Sequence, residues 1–160
     1  MLLFKDKMPN VIILSKNDEC YTPKRVVDYF GKFDYDPATT AKKAQEFGIK
    51  YFDTIDTNGL LSDWTKYKRI WINPPFTLKS EFLDKAVKTY KIAHNEIFIL
   101  FPTDYMTTKK FHEITKSIGG VLYLPKGRIN FERTGKSPAF GSVILKLNNK
   151  KDIVIKRIVI

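Results

Sequence analysis

The apolar and polar positions of this chain follow a helical period in some stretches and an extended pattern in others. From Ser80, the stretch SEFLDKAVKTYKIAH places apolar residues three and four positions apart, which predicts an amphipathic helix. The next stretch, EIFILFP, is a continuous apolar run, typical of a strand buried on both faces. Similar patterns predict helices in TPKRVVDYF, TTAKKAQEFG and TKKFHEITKSIGG, and strands in KFDYDP, YKRIWI, VLYLP, GRINFER, FGSVILKL and DIVIKRIVI.

Residues that cap helices set the expected ends of these elements. Thr22 is expected as an N-cap with Pro23 at the first helical position. Thr39 or Thr40 is expected to cap the second helix, which Gly48 closes. We also expect two apolar groups in the core, namely the pair Tyr51 and Phe52 and the helical stripe of Phe111, Ile114 and Ile118.

Helices alternate with strands along most of the chain, and the C-terminal part is rich in strands. This order predicts an α/β fold with a mostly parallel sheet flanked by helices and an antiparallel strand near the C-terminus. No internal repeat, low-complexity segment or linker divides the sequence. We therefore expect a single domain over residues 1–160, a length that suffices for one core and not comfortably for two.

Polar turns follow three of the predicted strands. They are Asp36-Pro37-Ala38, Asn73-Pro74-Pro75-Phe76 and Pro102-Thr103-Asp104. Ligands of open α/β sheets bind beyond the carboxyl ends of the strands, so we expect the three turns to meet at one edge. For Asp104 two positions are open, facing this edge or capping the next helix, and capping is favoured.

Cysteine and histidine are scarce. A lone cysteine, Cys20, excludes an internal disulfide and a cysteine-based zinc cluster, and with His94 and His112 as the two histidines no metal site is expected. There is no apolar run of transmembrane length and no recognisable cleavable leader. These features predict a reduced, cytoplasmic protein.

Positive charge is concentrated in the C-terminal part of the chain. The formal net charge is +11. Residues 1–108 carry 16 Lys and Arg against 14 Asp and Glu, whereas residues 109–160 carry 12 against 3. This asymmetry favours a polyanionic partner, nucleic acid, that contacts the C-terminal part; the alternative is a generic lysine-rich surface.

The turn Asn73-Pro74-Pro75-Phe76 suggests a specific chemistry. The exocyclic amine of adenine or cytosine is a poor nucleophile because its lone pair is delocalised into the ring. A side-chain oxygen of Asn73 and the backbone carbonyl of Pro74, placed to accept its two N–H bonds out of the ring plane, favour the pyramidal nitrogen that attacks. The prolines hold that carbonyl rigidly, and Phe76 offers a ring on which the base can stack.

This turn matches the catalytic sequence Asn/Asp-Pro-Pro-Tyr/Phe/Trp of S-adenosylmethionine-dependent amino-methyltransferases. With DECYTPKRVVDYF, FDYDPATTAKKA, DTNGLLSDW and LPKGRINFE, in this order, the chain from about Asp18 to about Leu147 resembles the small phage-type DNA adenine methyltransferases related to Dam. The resemblance implies a Rossmann-like methyltransferase fold, S-adenosylmethionine as methyl donor, and DNA, duplex in the first place, as substrate.

The resemblance also implies roles for individual residues. The four residues from Asn73 to Phe76 would hold the target base. The cofactor contacts would comprise Thr22 and Pro23 at its amino-acid end, the turn of Asp36, Pro37 and Ala38, Asp56 and Asn58 at the ribose, and Asp63 and Trp64 at the adenine. Two departures are visible: no glycine-rich loop follows Asp36, and there is no room between Asp36 and Asn73 for a separate target-recognition domain.

Direct attack by the amine needs no covalent intermediate, so no nucleophilic cysteine is required. In duplex DNA the target must leave the stack, at a cost of a few kcal/mol. Stacking on Phe76 offsets about 1–3 kcal/mol of this cost, and phosphate contacts must supply the remainder. The residues proposed for those contacts, with a solvated loop as the equal alternative, are Lys126, Arg128, Arg133 and Lys136.

Two alternatives stay open. The same tetrad serves methylation of adenine in RNA, of the N4 amine of cytosine in DNA and of protein glutamine. A catalytically silent nucleic-acid-binding protein with this fold is the alternative from another functional class. The intact tetrad argues against the silent protein, and the absent glycine-rich loop leaves it open.

Overall fold

The structure, a computed structural model, describes residues 20–132 and 140–160. Arg133 and Lys136, two of the predicted phosphate contacts, lie outside the described residues, as does the N-terminal stretch MLLFKDKMPNVIIL. The strands are β1 (Tyr35–Asp36), β2 (Tyr51–Phe52), β3 (Arg69–Ile72), β4 (Glu96–Pro102), β5 (Gly120–Pro125), β6 (Ser142–Leu147) and β7 (Ile153–Ile158). The helices are α1 (Lys24–Tyr29), α2 (Ala41–Phe47), α3 (Lys79–Ala93) and α4 (Lys109–Ile118).

Within the described ranges the strands form one sheet in the order β2-β1-β3-β4-β6-β5-β7. The pairs β1–β2, β1–β3, β3–β4 and β5–β7 are parallel. Strand β6 runs antiparallel to both of its neighbours, β4 and β5. The predicted α/β class, with a mostly parallel sheet and an antiparallel strand near the C-terminus, is confirmed.

The ends of α2 are those that the sequence predicts. Thr40 has extended backbone, its Oγ1 accepts a hydrogen bond from Lys43 N at 3.2 Å, and Gly48 closes the helix with φ of 69°. At α1 the predicted cap is wrong. Pro23, not Thr22, occupies the N-cap position. Thr22 lies one residue before that position and is buried, and no side chain caps the helix.

Two expectations about exposed residues are corrected. Asp104 does not cap α4 and lies exposed in a 3₁₀ turn (Thr103–Thr107); the cap of α4 is Thr108, whose hydroxyl accepts a hydrogen bond from Phe111 N. Tyr51 and Phe52 are exposed by 46% and 37%, because β2 is the edge strand of the sheet.

The stretch GRINFER is not a strand over its described residues, 127–132. Both edges of β5, the strand that precedes this stretch, are already paired, with β6 and β7, so the stretch cannot pair with β5. It packs instead against the segment before α1 and against α2. Glu132 N donates to the Tyr21 carbonyl, and the Glu132 carboxylate accepts from the ammonium group of Lys43.

Two apolar clusters flank the sheet. One contains the buried side of α3 and α4, including the predicted stripe of Phe111, Ile114 and Ile118, which is confirmed as core. The other contains the buried sides of α1 and α2 together with Ile129 and Phe131. Over the described part of the chain, each helix is too short or too polar to cross a lipid bilayer.

Candidate active site

Three strands end at one edge of the sheet. Strands β1, β3 and β4 are parallel neighbours, so the turns that follow them leave the sheet on the same side, as predicted. A cleft of about 390 Å³ lies at this edge. Pro37 and Ala38 line it from the first turn, and Asn73 and Pro75 line it from the second.

The cleft combines polar and apolar surface. Its polar and apolar side chains come mainly from the loops after β1, β2 and β3, and Phe82 of α3 adds an aromatic ring. The volume falls in the range of small-molecule sites, which are mostly apolar with a few polar groups that fix orientation. The remaining lining residues are Cys20, Tyr21, Thr39, Thr40, Thr54, Ile55, Asn58, Gly59, Leu78 and Phe82.

Asn73 lies directly after β3, and its side chain is held in one orientation. Its Nδ2 donates to the Cys20 carbonyl at 2.7 Å. Since the amide nitrogen is used by the protein itself, Oδ1 is the branch that can accept a hydrogen bond from a ligand. Asn73 is half-buried, at the surface of the cleft.

A second, smaller pocket lies on the other side of Asn73. Cys20 and Asn73 line both cavities, so the cleft and this pocket adjoin at these two residues. Its volume is about 10 Å³, and its lining is largely aromatic and apolar. The other lining residues are Pro74, Phe76, Leu100, Pro102, Phe131, Phe140 and Ser142.

The ring of Phe76 closes the small pocket. It meets the ring of Phe140 edge to face, with centroids 5.3 Å apart. The ammonium group of Lys79 lies 4.8 Å from the Phe76 centroid, a cation–π distance. Phe76 is therefore positioned by contacts from two directions.

The two prolines differ in their hydrogen bonding. The Pro75 carbonyl accepts from Leu78 N at 3.0 Å and starts a short 3₁₀ turn (Phe76–Leu78). Pro74 is buried and lines the small pocket. Because the Pro75 carbonyl is used within the turn, the Pro74 carbonyl is the backbone candidate for contact with a ligand amine.

Asp36 ends β1 and is buried beneath the cleft. Burial raises the pKa of its carboxyl group to about 7, although hydrogen bonds from Ala38 N and the Thr39 hydroxyl act in the opposite direction. The bond from Ala38 N to Asp36 Oδ1 measures 2.9 Å. Asp36 thus fixes the turn that lines the cleft, and its carboxyl group titrates near neutral pH.

Asp36→Asn should change the pH dependence of stability. The unfolded chain releases the Asp36 proton near pH 3.8 and the folded chain near pH 7, so the free energy of unfolding falls as pH rises between these values. The asparagine variant should lack this fall, on the order of a few kcal/mol, and keep the acceptor for Ala38 N. Urea unfolding of both proteins from pH 4.5 to 8 measures this pH dependence. If the free energy of unfolding changed with pH equally in both proteins, the raised pKa of Asp36 would be contradicted.

Of the predicted cofactor residues, some lie at the cleft and some behind it. Thr22 and Pro23 are buried next to Tyr21, and Thr22 Oγ1 has no hydrogen-bond partner among the described residues. Asn58 lines the cleft.

Three other predicted cofactor residues do not line the cleft. Asp56 is exposed, and Asp63 is exposed and bonds to Thr65 within its own loop. Trp64 is buried, with its ring 6.0 Å from that of Phe82, a residue of the cleft wall.

Gly59 is one of the cleft residues that sequence reasoning missed. A Cβ placed on it would lie 2.0 Å from the Pro37 carbonyl oxygen, and its own carbonyl accepts from Trp64 Nε1 at 2.8 Å. The loop after β2 therefore packs backbone to backbone against the turn after β1. The close approach that a glycine after Asp36 would provide comes here from the opposite loop. The pair Asn58-Gly59, whose glycine is the only one between Gly48 and Gly119, was the available sequence signal.

Asp53 holds the same loop from its start, directly after β2. Its carboxylate accepts from the Tyr35 hydroxyl. Burial acts to raise the pKa of Asp53, but hydrogen bonds from the Ser62 and Tyr35 hydroxyls outweigh it and keep that pKa below its ordinary value. The loop over residues 54–62 is thus tied down at both ends.

Lys126 and Arg128 lie on the exposed turn after β5. With Arg133 and Lys136 outside the described residues, the predicted group of four cations is only partly visible. Over the described ranges, no three residues among His, Cys, Asp and Glu come close enough together to hold a metal ion.

Comparison with known proteins identifies relatives over most of the chain. Residues 12–156 match the family described as DNA N-6-adenine-methyltransferase (Dam). A DNA N-6-adenine-methyltransferase of Escherichia phage T1 is 30% identical over an alignment of 154 residues, and the match covers 82% of this chain and 63% of the relative. One of Haemophilus phage HP1 is 28% identical over 104 residues, covering 64% and 57%.

The chain spans about three fifths of the length of these curated relatives. Among solved structures, it is similar to the crystal structure of a predicted O-methyltransferase, protein Atu636 from Agrobacterium tumefaciens. That similarity has a TM-score of 0.37 and 12% identity, and covers 79% of this chain and 51% of the other.

Proposed function

This chain belongs to the DNA N-6-adenine-methyltransferase (Dam) family, and on that premise we propose that it transfers a methyl group from S-adenosylmethionine to the N6 amine of adenine in DNA. The observation that carries the proposal is the position of Asn73. Asn73 lines both a cleft of small-molecule size and an aromatic pocket. Methyl transfer requires the methyl donor and the target amine to meet, and a residue that acts on the amine must lie at that meeting point.

The residues of the cleft fit the proposed cofactor. S-Adenosylmethionine has a charged amino-acid end, ribose hydroxyls and a flat adenine, and the cleft offers polar and apolar surface in one space. Thr22, whose buried hydroxyl has no hydrogen-bond partner among the described residues, directly follows Tyr21, which lines the cleft. When bound there, the cofactor supplies a methyl group on a sulfonium that leaves as a neutral thioether.

We propose the following division of labour among the cofactor residues. Thr22, Pro23 and the turn of Asp36, Pro37 and Ala38 serve the amino-acid end, and Asn58 serves the ribose. Asp56, Asp63 and Trp64 do not line the cleft, so we propose them as positioning residues of the loop that carries Asn58 and Gly59. Trp64 does this through its bond to the Gly59 carbonyl.

Asn73 and Pro74 act on the amine. Asn73 Oδ1 and the Pro74 carbonyl accept the two N6–H bonds, which favours a pyramidal nitrogen with an available lone pair. The bond from Asn73 Nδ2 to Cys20 fixes the amide before the base arrives, so little reorganisation is needed during the reaction. Once methylated, the nitrogen loses its extra proton to water, and no strong base is required.

The base enters the small pocket only when that pocket opens. Its volume of about 10 Å³ is too small for a purine, so the Phe76 and Phe140 rings must separate. Flipping costs a few kcal/mol and stacking on Phe76 offsets about 1–3 kcal/mol. We propose that Lys126, Arg128, Arg133 and Lys136 supply phosphate contacts for the remainder.

Phe76→Ala should weaken capture of the base more than binding of the cofactor. Loss of one base–aromatic stack corresponds to a rise of roughly 5- to 150-fold in KM for DNA. The cofactor Kd should stay unchanged, because Phe76 lies outside the cleft lining. Steady-state kinetics and titration calorimetry measure the two. Tyr51→Ala, an exposed aromatic on β2, is the control, and unchanged kinetics for Phe76→Ala would remove the stacking role.

The proposed function is tested by product identification. The purified protein is incubated with labelled S-adenosylmethionine and unmethylated duplex DNA, or with RNA, and the nucleosides are identified by mass spectrometry after digestion. N6-Methyldeoxyadenosine is the expected product. Label on cytosine, on RNA or on protein would redirect the proposal, and absence of transfer would favour a silent binding protein. We expect the reaction in a bacterial cytoplasm, where DNA and S-adenosylmethionine occur together.

A further inference from the structure

A buried hydroxyl faces the small pocket without a partner. Ser142 is only 5% exposed, lines the pocket, and its Oγ has no hydrogen-bond partner among the described residues. Burying a hydroxyl without a hydrogen bond is unfavourable by about 1–3 kcal/mol. A buried hydroxyl that lacks a hydrogen bond at the wall of a pocket indicates a ligand that supplies this bond.

The sheet register places Ser142 on the same face as Asn73. Ile72 pairs with Ile99, which sets Asn73 beside Leu100, and Leu100 pairs in turn with Ile144. Ser142 lies two residues from Ile144 along β6, and side chains two residues apart share a face. Two strand spacings and a two-residue rise give about 12 Å between the Cα atoms of Asn73 and Ser142. Two short polar side chains at this separation can contact opposite edges of a flat heterocycle once the Phe76 and Phe140 rings have separated.

The pocket has few other donors. Nδ2 of Asn73 is used by the Cys20 carbonyl, a thiol such as that of Cys20 is a weak donor, and the remaining described lining residues are prolines, phenylalanines and a leucine. The ring nitrogens of adenine that are free of hydrogen accept hydrogen bonds. When Asn73 and Pro74 bind the amine, the ring nitrogens are the polar atoms of the base that still lack a partner. The Ser142 hydroxyl can donate a hydrogen bond to one of them.

We propose that Ser142 is a specificity-determining residue that donates a hydrogen bond from its hydroxyl to a ring nitrogen of the flipped adenine. This inference rests on the proposed function and deepens it. A base with a carbon in place of that nitrogen would leave the buried Ser142 hydroxyl without a hydrogen bond, which is unfavourable. Ser142 thereby contributes to the recognition of adenine through its ring nitrogens.

Ser142→Ala separates this role from a structural one. The hydroxyl makes no bond within the described protein, so its removal should leave the melting temperature unchanged or raise it. The value of kcat/KM for DNA should fall by roughly 5- to 150-fold, the effect of one lost base contact, with an unchanged cofactor Kd. Ser117→Ala, whose hydroxyl bonds the Ile114 carbonyl on α4, is the control and should keep full activity.

Substrates containing 1-deaza-, 3-deaza- or 7-deazaadenine identify the acceptor. One analogue should slow the wild-type protein as Ser142→Ala does and slow the variant no further. A variant with wild-type kcat/KM, or penalties that multiply for all three analogues, would overturn the inference while leaving the proposed function intact. A wild-type protein that labels no adenine in DNA would contradict the proposed function and the inference with it.

Discussion

Asn73→Ala should lower the methylation rate by at least about 10²–10³-fold, the effect of removing one preorganised group that stabilises a transition state. The alanine side chain lacks the oxygen that accepts an N6–H bond, so the amine stays planar and unreactive. Cofactor affinity should change little, because Asn73 is one of many residues around the cleft. Single-turnover kinetics with saturating DNA and cofactor, beside a cofactor titration, measure the two effects.

Two further variants interpret this result. Gln45→Ala removes an exposed amide on α2 and should have no effect. Asn73→Asp keeps an acceptor oxygen but replaces the donor to the Cys20 carbonyl with a second oxygen, so it should recover part of the rate with a lower melting temperature. Equal losses of rate and cofactor affinity in Asn73→Ala would make Asn73 a structural residue and contradict its role at the amine.

Gly59→Ala should disrupt the cleft. The new methyl group would lie 2.0 Å from the Pro37 carbonyl oxygen and 2.8 Å from its carbonyl carbon, and both are backbone atoms that cannot rotate away. The two loops must separate, which removes the bond from Trp64 Nε1 and changes the position of Asn58. We expect a loss of about 1–3 kcal/mol in the free energy of unfolding, typical of overpacking, and a large loss of cofactor affinity.

Gly48→Ala is the matched control for this variant. Gly48 has φ of +69° with nothing within 4 Å of a new Cβ, so alanine there is strained by its backbone alone, at about 1–2 kcal/mol. It should reduce the free energy of unfolding to a similar extent and leave the cofactor Kd unchanged. If both variants bind the cofactor equally well, the contact between Gly59 and Pro37 does not shape the cleft.

The elements that sequence reasoning predicted best are those with strong local determinants. Helix α3 and strand β4 follow directly from their periodicity, and Thr40 and Gly48 delimit α2 through backbone chemistry that needs no distant partner. The predictions at Thr22, Asp104 and GRINFER were wrong because each depends on what the neighbouring segment does. A capping residue competes with its neighbours, and a strand forms only where another strand has a free edge.

The sequence by itself determined the α/β class, the three turns at one edge and the tetrad Asn73–Phe76, because periodicity and proline geometry act over a few residues. Only the tertiary structure decided that Asn73 lines two cavities, that Gly59 packs against the Pro37 carbonyl, and that Ser142 is a buried hydroxyl in a pocket shared with the tetrad. These facts depend on contacts between residues distant along the chain. Such contacts are set by strand order and register, which no local pattern encodes.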